Sequence, residues 1–290
     1  MSTSLPHWLL LGAGNMGTLA ASYLIQAGHR VTVLRPASEP PLLRQLCFSD
    51  GRQRPLTLPV TTVHALRSAP SHLLVACKTP YTEAALAPLQ PMLKDTQLVV
   101  RLQNGLGALD GLLPAGPTLI ETVTTSAVKG QAPRHDIVAE NDTWWGGQPR
   151  APAWFADLQP HWPNLYWQAD LRHRQWQKLV VNAVINPLTA LHDVDNGVLL
   201  TELSLRRQAE QLCREADAVL QRLDPAWPAH SLDNVLAVAR ATAANTSSMR
   251  ADRQRGNRTE VDAINGYLLT RARELGMTLP AHAQIVAALS

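Results

Sequence analysis

In the first half of the chain, apolar residues come in short unbroken runs separated by stretches of helical spacing. Trp8-Leu9-Leu10-Leu11 is followed by glycines, then by Leu19, Tyr23, Leu24 and Ala27, then by Gly28 and the β-branched Val31-Thr32-Val33. That order is strand, tight turn, helix, C-terminal glycine and strand, a βαβ unit. Leu73-Leu74-Val75-Ala76-Cys77, Leu98-Val99-Val100 and Thr118-Leu119-Ile120 predict further strands, with a helix over 82–93 between the first two. Strands apolar on both faces and alternating with helices argue for a parallel sheet covered on both sides. The cluster Pro36, Pro40 and Pro41 predicts a loop after the second strand. From residue 171 the texture becomes helical almost throughout. Helices are predicted over 171–191, 199–223, 231–253 and 260–275, separated by Gly197, the Pro225 to Pro228 stretch and Gly256. The boundary between an α/β half, 1–170, and an all-α half, 171–290, falls near Asp170. Six of the eight tryptophans lie between Trp144 and Trp176, where indoles are expected to pack the last strands and the seam between the halves.

Composition narrows the function. A chain of 290 residues with 46% hydrophobic content can build two real cores. Its net charge of +3 is too small for a face that holds a phosphate backbone, so nucleic acid is not expected as a partner. No stretch approaches the roughly 18 apolar residues of a membrane helix. Met1 to Pro6 carries no basic region ahead of its apolar residues and does not read as a signal peptide. Cys47, Cys77 and Cys213 are odd in number and far apart, which fits a reducing cytoplasm better than a disulfide framework. The ten histidines show no paired ligand spacing, so no metal site is expected.

The first chemistry is at Gly12-Ala13-Gly14-Asn15-Met16-Gly17, a GxGxxG that directly follows a strand and opens a helix. In that context Gly12 allows the tight turn, Gly14 lets the backbone approach a pyrophosphate at the helix N-terminus, and Gly17 permits close helix packing. The first half is therefore expected to be a Rossmann-like dinucleotide-binding domain. Its second strand ends Val33-Leu34-Arg35 with no acid before Glu39, and an arginine at that place accommodates a 2′-phosphate, which argues for NADPH/NADP+. A solvated arginine at a strand end is the plainer alternative. Cys77-Lys78-Thr79-Pro80 and Gln103-Asn104-Gly105-Leu106-Gly107 each follow a predicted parallel strand, the edge where such sheets place ligands. Lys78 can there meet the cofactor and Asn104 the nicotinamide or substrate, although ordinary loop chemistry explains either.

In the second half, Lys178, Asn182 and Asn186 recur at i, i+4 and i+8 among apolar residues, a polar row on one face of a buried helix. Such groups need partners, and the row faces either a ligand or another helix. Beside a nicotinamide cofactor, a sheltered lysine can stabilise and then protonate the oxygen formed by hydride addition to a carbonyl. Pro187 after Asn186 predicts a kink that opens backbone groups. Asn245 and Ser248 are i, i+3 neighbours near the end of the helix predicted over 231–253. Asn257 to Glu260 has the spacing of a capping box, which would make Glu260 a helix cap.

With these residues together, the chain resembles the ketopantoate reductase family over nearly its whole length. The resemblance rests on the glycine loop, on Gln103-Asn104-Gly105-Leu106-Gly107, on the lysine-helix segment 176–191, on Asn245-Thr246-Ser247-Ser248-Met249 and on Thr259-Glu260-Val261-Asp262-Ala263-Ile264-Asn265-Gly266. It implies NADPH-dependent reduction of 2-dehydropantoate, a small 2-oxo acid, to (R)-pantoate on the route to pantothenate and coenzyme A. It further implies that Lys178 donates the proton, that Glu260 holds the substrate's 4-hydroxyl, and that Ser248 and Asn245 meet its carboxylate. Asn182 and Asn186 would line the cleft, Asn104 would lie near the nicotinamide, and Arg35 and Lys78 would look toward the 2′-phosphate. Thr79-Pro80-Tyr81 replaces a glutamine many members carry, and Glu121-Thr122-Val123-Thr124-Thr125 lacks a glycine common in relatives. A monomer or homodimer is expected. Two other readings remain: a paralogue reducing a different 2-oxo acid, and an NADPH-binding sensor without activity.

Overall fold

A computed structural model of the chain describes residues 5–290, so most of Met1 to Pro6, the stretch that does not read as a signal peptide, lies outside them. The described residues form two compact units, one made of 5–103 with 109–171 and the other of 104–108 with 172–290. The α/β and all-α halves anticipated from the sequence are both present.

In the first unit the apolar runs become strands, buried on both faces at His72–Val75 and Leu98–Arg101. In chain order these are β1 (His7–Leu11), β2 (Arg30–Leu34), β3 (Leu42–Phe48), β4 (Gln53–Leu58), β5 (Val60–Thr61), β6 (His72–Val75), β7 (Leu98–Arg101), β8 (Thr118–Thr124), β9 (Ala127–Gln131), β10 (Arg134–Ala139), β11 (Thr143–Gly146) and β12 (Leu165–Gln168). The main sheet has eight strands in the order β12-β11-β8-β7-β6-β1-β2-β5. It is parallel from β5 to β8, with β11 antiparallel to β8. The chain leaves β1 first toward β2 and later returns to β6, so the topological switch point falls between the ends of β1 and β6, where ligands of such sheets bind.

The helix after β1 is α1 (Asn15–Gln26), followed in this unit by α2 (Thr82–Leu86), α3 (Gln90–Leu93) and α4 (Phe155–Leu158). The helix expected over 82–93 is broken into α2, a 3-10 turn over Ala87–Leu89 and α3, because Pro88 and Pro91 each remove a backbone donor. A second sheet, β4-β3-β10-β9, was not anticipated. Its inward residues Leu46, Phe48, Leu56, Leu58 and Ile137 share one core with Leu19, Tyr23 and Leu24 of α1 and with Trp8 and Leu10 of β1. The helix of the glycine loop is therefore held between two sheets.

The second unit is built on α5 (Arg172–His192), with α6 (Val198–Thr201), α7 (Leu203–Leu223), α8 (Ser231–Ala241), α9 (Ser248–Gln254), α10 (Tyr267–Glu274) and α11 (Pro280–Leu289) around it. Two helices expected as continuous are interrupted. Glu202 leaves helical geometry at ψ 110° and caps α7 by accepting from the Ser204 amide. The backbone of 242–247 turns away to receive the amides of Asn196 and Gly197 on the carbonyls of Asn245 and Ala243. Pro280, which opens α11, is the start signal for a helix missing from the expectation. No helix among the described residues is long and apolar enough to cross a membrane.

Tryptophans and histidines make an aromatic cluster at the base of β1. Trp8 donates from Nε1 to His29 Nδ1 at 3.2 Å, and its ring meets His72, Trp145 and Trp154 edge-on. Burial, reinforced by His29, lowers the His72 pKa from 6.5 to about 4, and burial also lowers that of His29. The folded protein keeps these rings neutral while the unfolded chain protonates them near 6.5, so stability drops as pH falls from 6.5 toward 4. Melting temperature should decline across that window, and His72→Phe should flatten the decline. An identical slope in the variant would remove His72 as a cause.

Candidate active site

Gly12, at φ +98°, lies so close to the end of β6 that a Cβ on it would sit 2.3 Å from the Cys77 amide nitrogen. A Cβ on Gly17 would sit 1.9 Å from the Gly12 carbonyl oxygen, whereas one on Gly14 would meet nothing within 4 Å. Glycine is thus required sterically at the first and third positions, and the second faces open space. Gly14 caps α1 without any side-chain hydrogen bond, and the first turn of α1 carries no acidic residue. The first-turn amides form an anion cradle with no competing side chain, which fits a dinucleotide's pyrophosphate.

Asn15 and Met16 open that turn. The Asn15 side chain is fastened by its own amide to the Val128 carbonyl at 3.3 Å and by Oδ1 to His135 Nδ1 at 2.7 Å. Arg35 stands exposed at the end of β2 with its Nε 3.3 Å from both oxygens of Glu39, so the acid passed over in the sequence pairs with the candidate phosphate ligand. Lys78 is exposed at the end of β6, where Gln103 holds the loop by donating to the Cys77 carbonyl and the Thr82 hydroxyl, both at 2.7 Å.

In the second unit, Lys178, Asn182 and Asn186 occupy one face of α5, half-buried at the first two positions and buried at Asn186. Among the described residues, nothing partners the side-chain amides of Asn182 and Asn186. Buried polar groups of this kind are satisfied by a ligand or water. Asn104 and Glu260, 156 residues apart, are joined by an amide-to-carboxylate bond of 3.2 Å, with Glu260 only 8% exposed. The loop that carries Asn104 is seated on a π-turn over Asp262–Gly266. Leu106 donates its amide to the Ala263 carbonyl at 2.8 Å, and Gly105, at φ +70°, approaches too closely for any Cβ. Such turns release carbonyls from the helical ladder and are common at functional sites. The hydroxyl of Thr259, rather than Asn257, accepts the Val261 amide at this helix start.

Asn245 and Ser248 lie in the loop after α8 and at the first residue of α9, not near the end of one long helix, and both are exposed. Their neighbour Ser247 is the buried cap of α9 and accepts from Thr189 at 2.7 Å. The kink expected at Pro187 is absent, and α5 continues through it. Proline cannot donate to the Ala183 carbonyl, and Asn265 supplies the missing donor from its Nδ2 at 2.8 Å. The same amide lies 3.0 Å from His282 Nδ1, and His282 Nε2 lies 3.1 Å from the Leu212 carbonyl. A carbonyl only accepts, so the ring proton is on Nε2 and Nδ1 accepts from Asn265. Asn265 was missed because its signal is the combination of a helix-interior proline and an asparagine 78 positions later.

A glycine loop at the switch point of a parallel sheet, with a separate helical unit bearing a lysine row and a buried carboxylate, defines a dinucleotide-binding oxidoreductase. Residues 8–150 match the family described as "Ketopantoate reductase PanE/ApbA", and residues 170–290 match "Ketopantoate reductase PanE/ApbA C terminal". A 2-dehydropantoate 2-reductase of Vibrio cholerae is 30% identical over 296 residues, covering 96% of this chain and 94% of the relative. One from Escherichia coli O157:H7 is 33% identical over 281 residues, covering 95% and 91%. The crystal structure of a probable 2-dehydropantoate 2-reductase from Bacillus subtilis superimposes with a TM-score of 0.78 at 26% identity, covering 97% of this chain and 99% of that one. The chain belongs to the ketopantoate reductase family.

Replacing Asn265 by leucine leaves the Ala183 carbonyl buried without a donor, which should cost about 1–3 kcal/mol of stability. Urea denaturation reads this directly, and an unchanged midpoint would show that α5 tolerates Pro187 without Asn265.

Proposed function

We propose that this chain reduces 2-dehydropantoate to (R)-pantoate with NADPH, the step that leads toward pantothenate and coenzyme A. The observation that carries the reading is Glu260, a buried carboxylate held by Asn104 in the same unit as the Lys178 row. Binding a dinucleotide alone needs neither Lys178 nor Glu260, which argues against a sensor without activity. The near-complete coverage of named 2-dehydropantoate 2-reductases argues against a distant substrate.

The nicotinamide, when bound, supplies a hydride to the C2 carbonyl of the 2-oxo acid. The glycine-loop amides of Gly12, Gly14, Asn15, Met16 and Gly17 would cradle the pyrophosphate, and Arg35 with Lys78 would hold the 2′-phosphate. Lys178 would stabilise negative charge on the C2 oxygen and give it a proton, leaving a neutral amine that is reprotonated from solvent. Glu260 would accept a hydrogen bond from the 4-hydroxyl, with Asn104 fixing the carboxylate's orientation. Asn182 and Asn186 offer unpaired amides to the polar part of the substrate, and Asn245 and Ser248 would meet its carboxylate. Among the described residues Cys47, Cys77 and Cys213 form no disulfide, which supports a reducing, cytoplasmic setting.

The deciding assay follows NADPH absorbance with 2-dehydropantoate and a panel of 2-oxo acids. Turnover with 2-dehydropantoate is expected, and turnover only with another acid, or binding without turnover, would falsify the proposal. Lys178→Ala should lower kcat by roughly 10² to 10⁴ with the fold intact. A rate near that of the wild type would take Lys178 out of the mechanism. For Glu260→Ala the expectation is a KM raised about tenfold or more at unchanged melting temperature, from loss of a charged hydrogen bond. Normal kinetics with a lowered melting temperature would instead assign Glu260 a purely structural role. Arg35→Asp should weaken NADPH far more than NADH, and equal weakening would refute the 2′-phosphate assignment.

A further inference from the structure

The inward face of β3 is apolar except at one position. Leu42, Arg44, Leu46 and Phe48 share that face, and Leu46 and Phe48 are buried in the core around α1. Strand alternation turns Arg44 toward the same core. Opposite Leu46 in register is His135, whose Nδ1 lies 2.7 Å from Asn15 Oδ1 in the first turn of α1. The face of the small sheet that carries Arg44 therefore abuts the opening of the glycine-loop helix.

Among the described residues the only hydrogen bond of the Arg44 side chain is from Nη1 to the neighbouring Leu43 carbonyl at 2.9 Å, and its buried Nε has no partner. Among the described residues no carboxylate pairs with it. Its surroundings are instead cationic. Burial and then the charge of Arg35 push the Arg44 guanidinium below the usual arginine value, and Arg44 in turn assists burial in keeping His135 neutral. Asp136 alone opposes the effect on His135 and is itself paired with Arg134, and Glu39 is engaged by Arg35. Arg35 thus has a carboxylate partner and, among the described residues, Arg44 has none. A part-buried cation without a counter-charge is costly to the fold, and such groups are kept where an anion completes them.

We propose that Arg44 is a second cation for the adenosine 2′-phosphate of the cofactor, acting beside Arg35 at the end of β2. The inference rests on the NADPH reading above. A phosphate monoester carries close to two negative charges and three acceptor oxygens, enough to engage both guanidiniums. Glu39 would give way when the phosphate arrives, because an exposed pair of this kind contributes little. The pyrophosphate is left to the glycine-loop amides, so Arg44 discriminates between cofactors rather than holding both.

The test is calorimetric titration of NADPH, NADH, adenosine 2′,5′-bisphosphate and 5′-AMP into the whole protein and into Arg44→Met and Arg44→Lys. In Arg44→Met, the Kd for NADPH and for the bisphosphate should rise about tenfold or more, while those for NADH and 5′-AMP should stay within about twofold. Arg44→Lys should recover part of the loss. Without cofactor, Arg44→Met should melt at or above the wild-type temperature, since it removes an unpaired charge from a part-buried site. Equal weakening of both cofactors, an unaltered preference for NADPH, or a lowered melting temperature would each overturn the assignment. A wild-type protein that binds NADH as tightly as NADPH would overturn the cofactor reading, and this inference with it, before any variant is compared.

Discussion

A helix with a proline in its interior must find a donor for the carbonyl four residues earlier, and α5 finds it outside itself. Asn265 gives one amide proton to Ala183 and the other to His282, and His282 gives its own ring proton to Leu212. The chain runs in one direction only. A flipped Asn265 amide would set its oxygen against the Ala183 oxygen, and a flipped or charged imidazole would set a proton against a proton. Burial lowers the His282 pKa and so preserves the neutral ring that the chain requires. Through these bonds α5, the π-turn, α11 and α7 are fixed to one another. Glu215 of α7 reinforces the arrangement by accepting the first amides of α11, where a carboxylate also meets the positive end of the helix dipole.

The π-turn is the point at which this packing becomes a site. Its widened turn places Asn265 inward and leaves the Ala263 carbonyl available to a distant loop, which then brings Asn104 to Glu260. One local irregularity therefore supports both the scaffold of the lysine helix and the orientation of a buried carboxylate. In the first unit the corresponding device is the small sheet, which closes over α1 and fastens Asn15 from two strands, β9 and β10. Both devices give a short loop the rigidity that a binding group needs.

What was legible in the sequence was the chemistry carried by local pattern. Apolar runs marked the main sheet, GxGxxG marked the turn after β1, and the spacing of Lys178, Asn182 and Asn186 marked the polar face of α5. The small sheet escaped notice because its strands mix Arg44, Gln45, Arg54 and Pro55 with apolar residues, so alternation was weak and proline argued against a strand. Whereas the break within the helix expected over 199–223 is a local cap at Glu202 that the apolar spacing masked, that within 231–253 depends on bonds to residues far along the chain, as with Asn196 and Asn245. The Asn265 relay was out of reach for the same reason, since its partner carbonyl lies 82 residues away. Glu260 shows the limit most clearly. Spacing favoured a cap, the family resemblance favoured a substrate ligand, and the fold provides Thr259 for the first task and Asn104 as the partner of the carboxylate.

The loop over 104–108 belongs to the helical unit, although the strand before it and the residues after it belong to the other. During synthesis on the ribosome, Asn104 leaves the exit tunnel 156 residues ahead of Glu260. At typical elongation rates that interval is on the order of ten seconds. Through that time the nascent α/β unit must hold a Gly-rich loop whose seat has not yet been made. The helical half cannot be expressed complete as a single C-terminal fragment, and a circular permutant opened between 171 and 172 would still leave the loop embedded in its foreign neighbour.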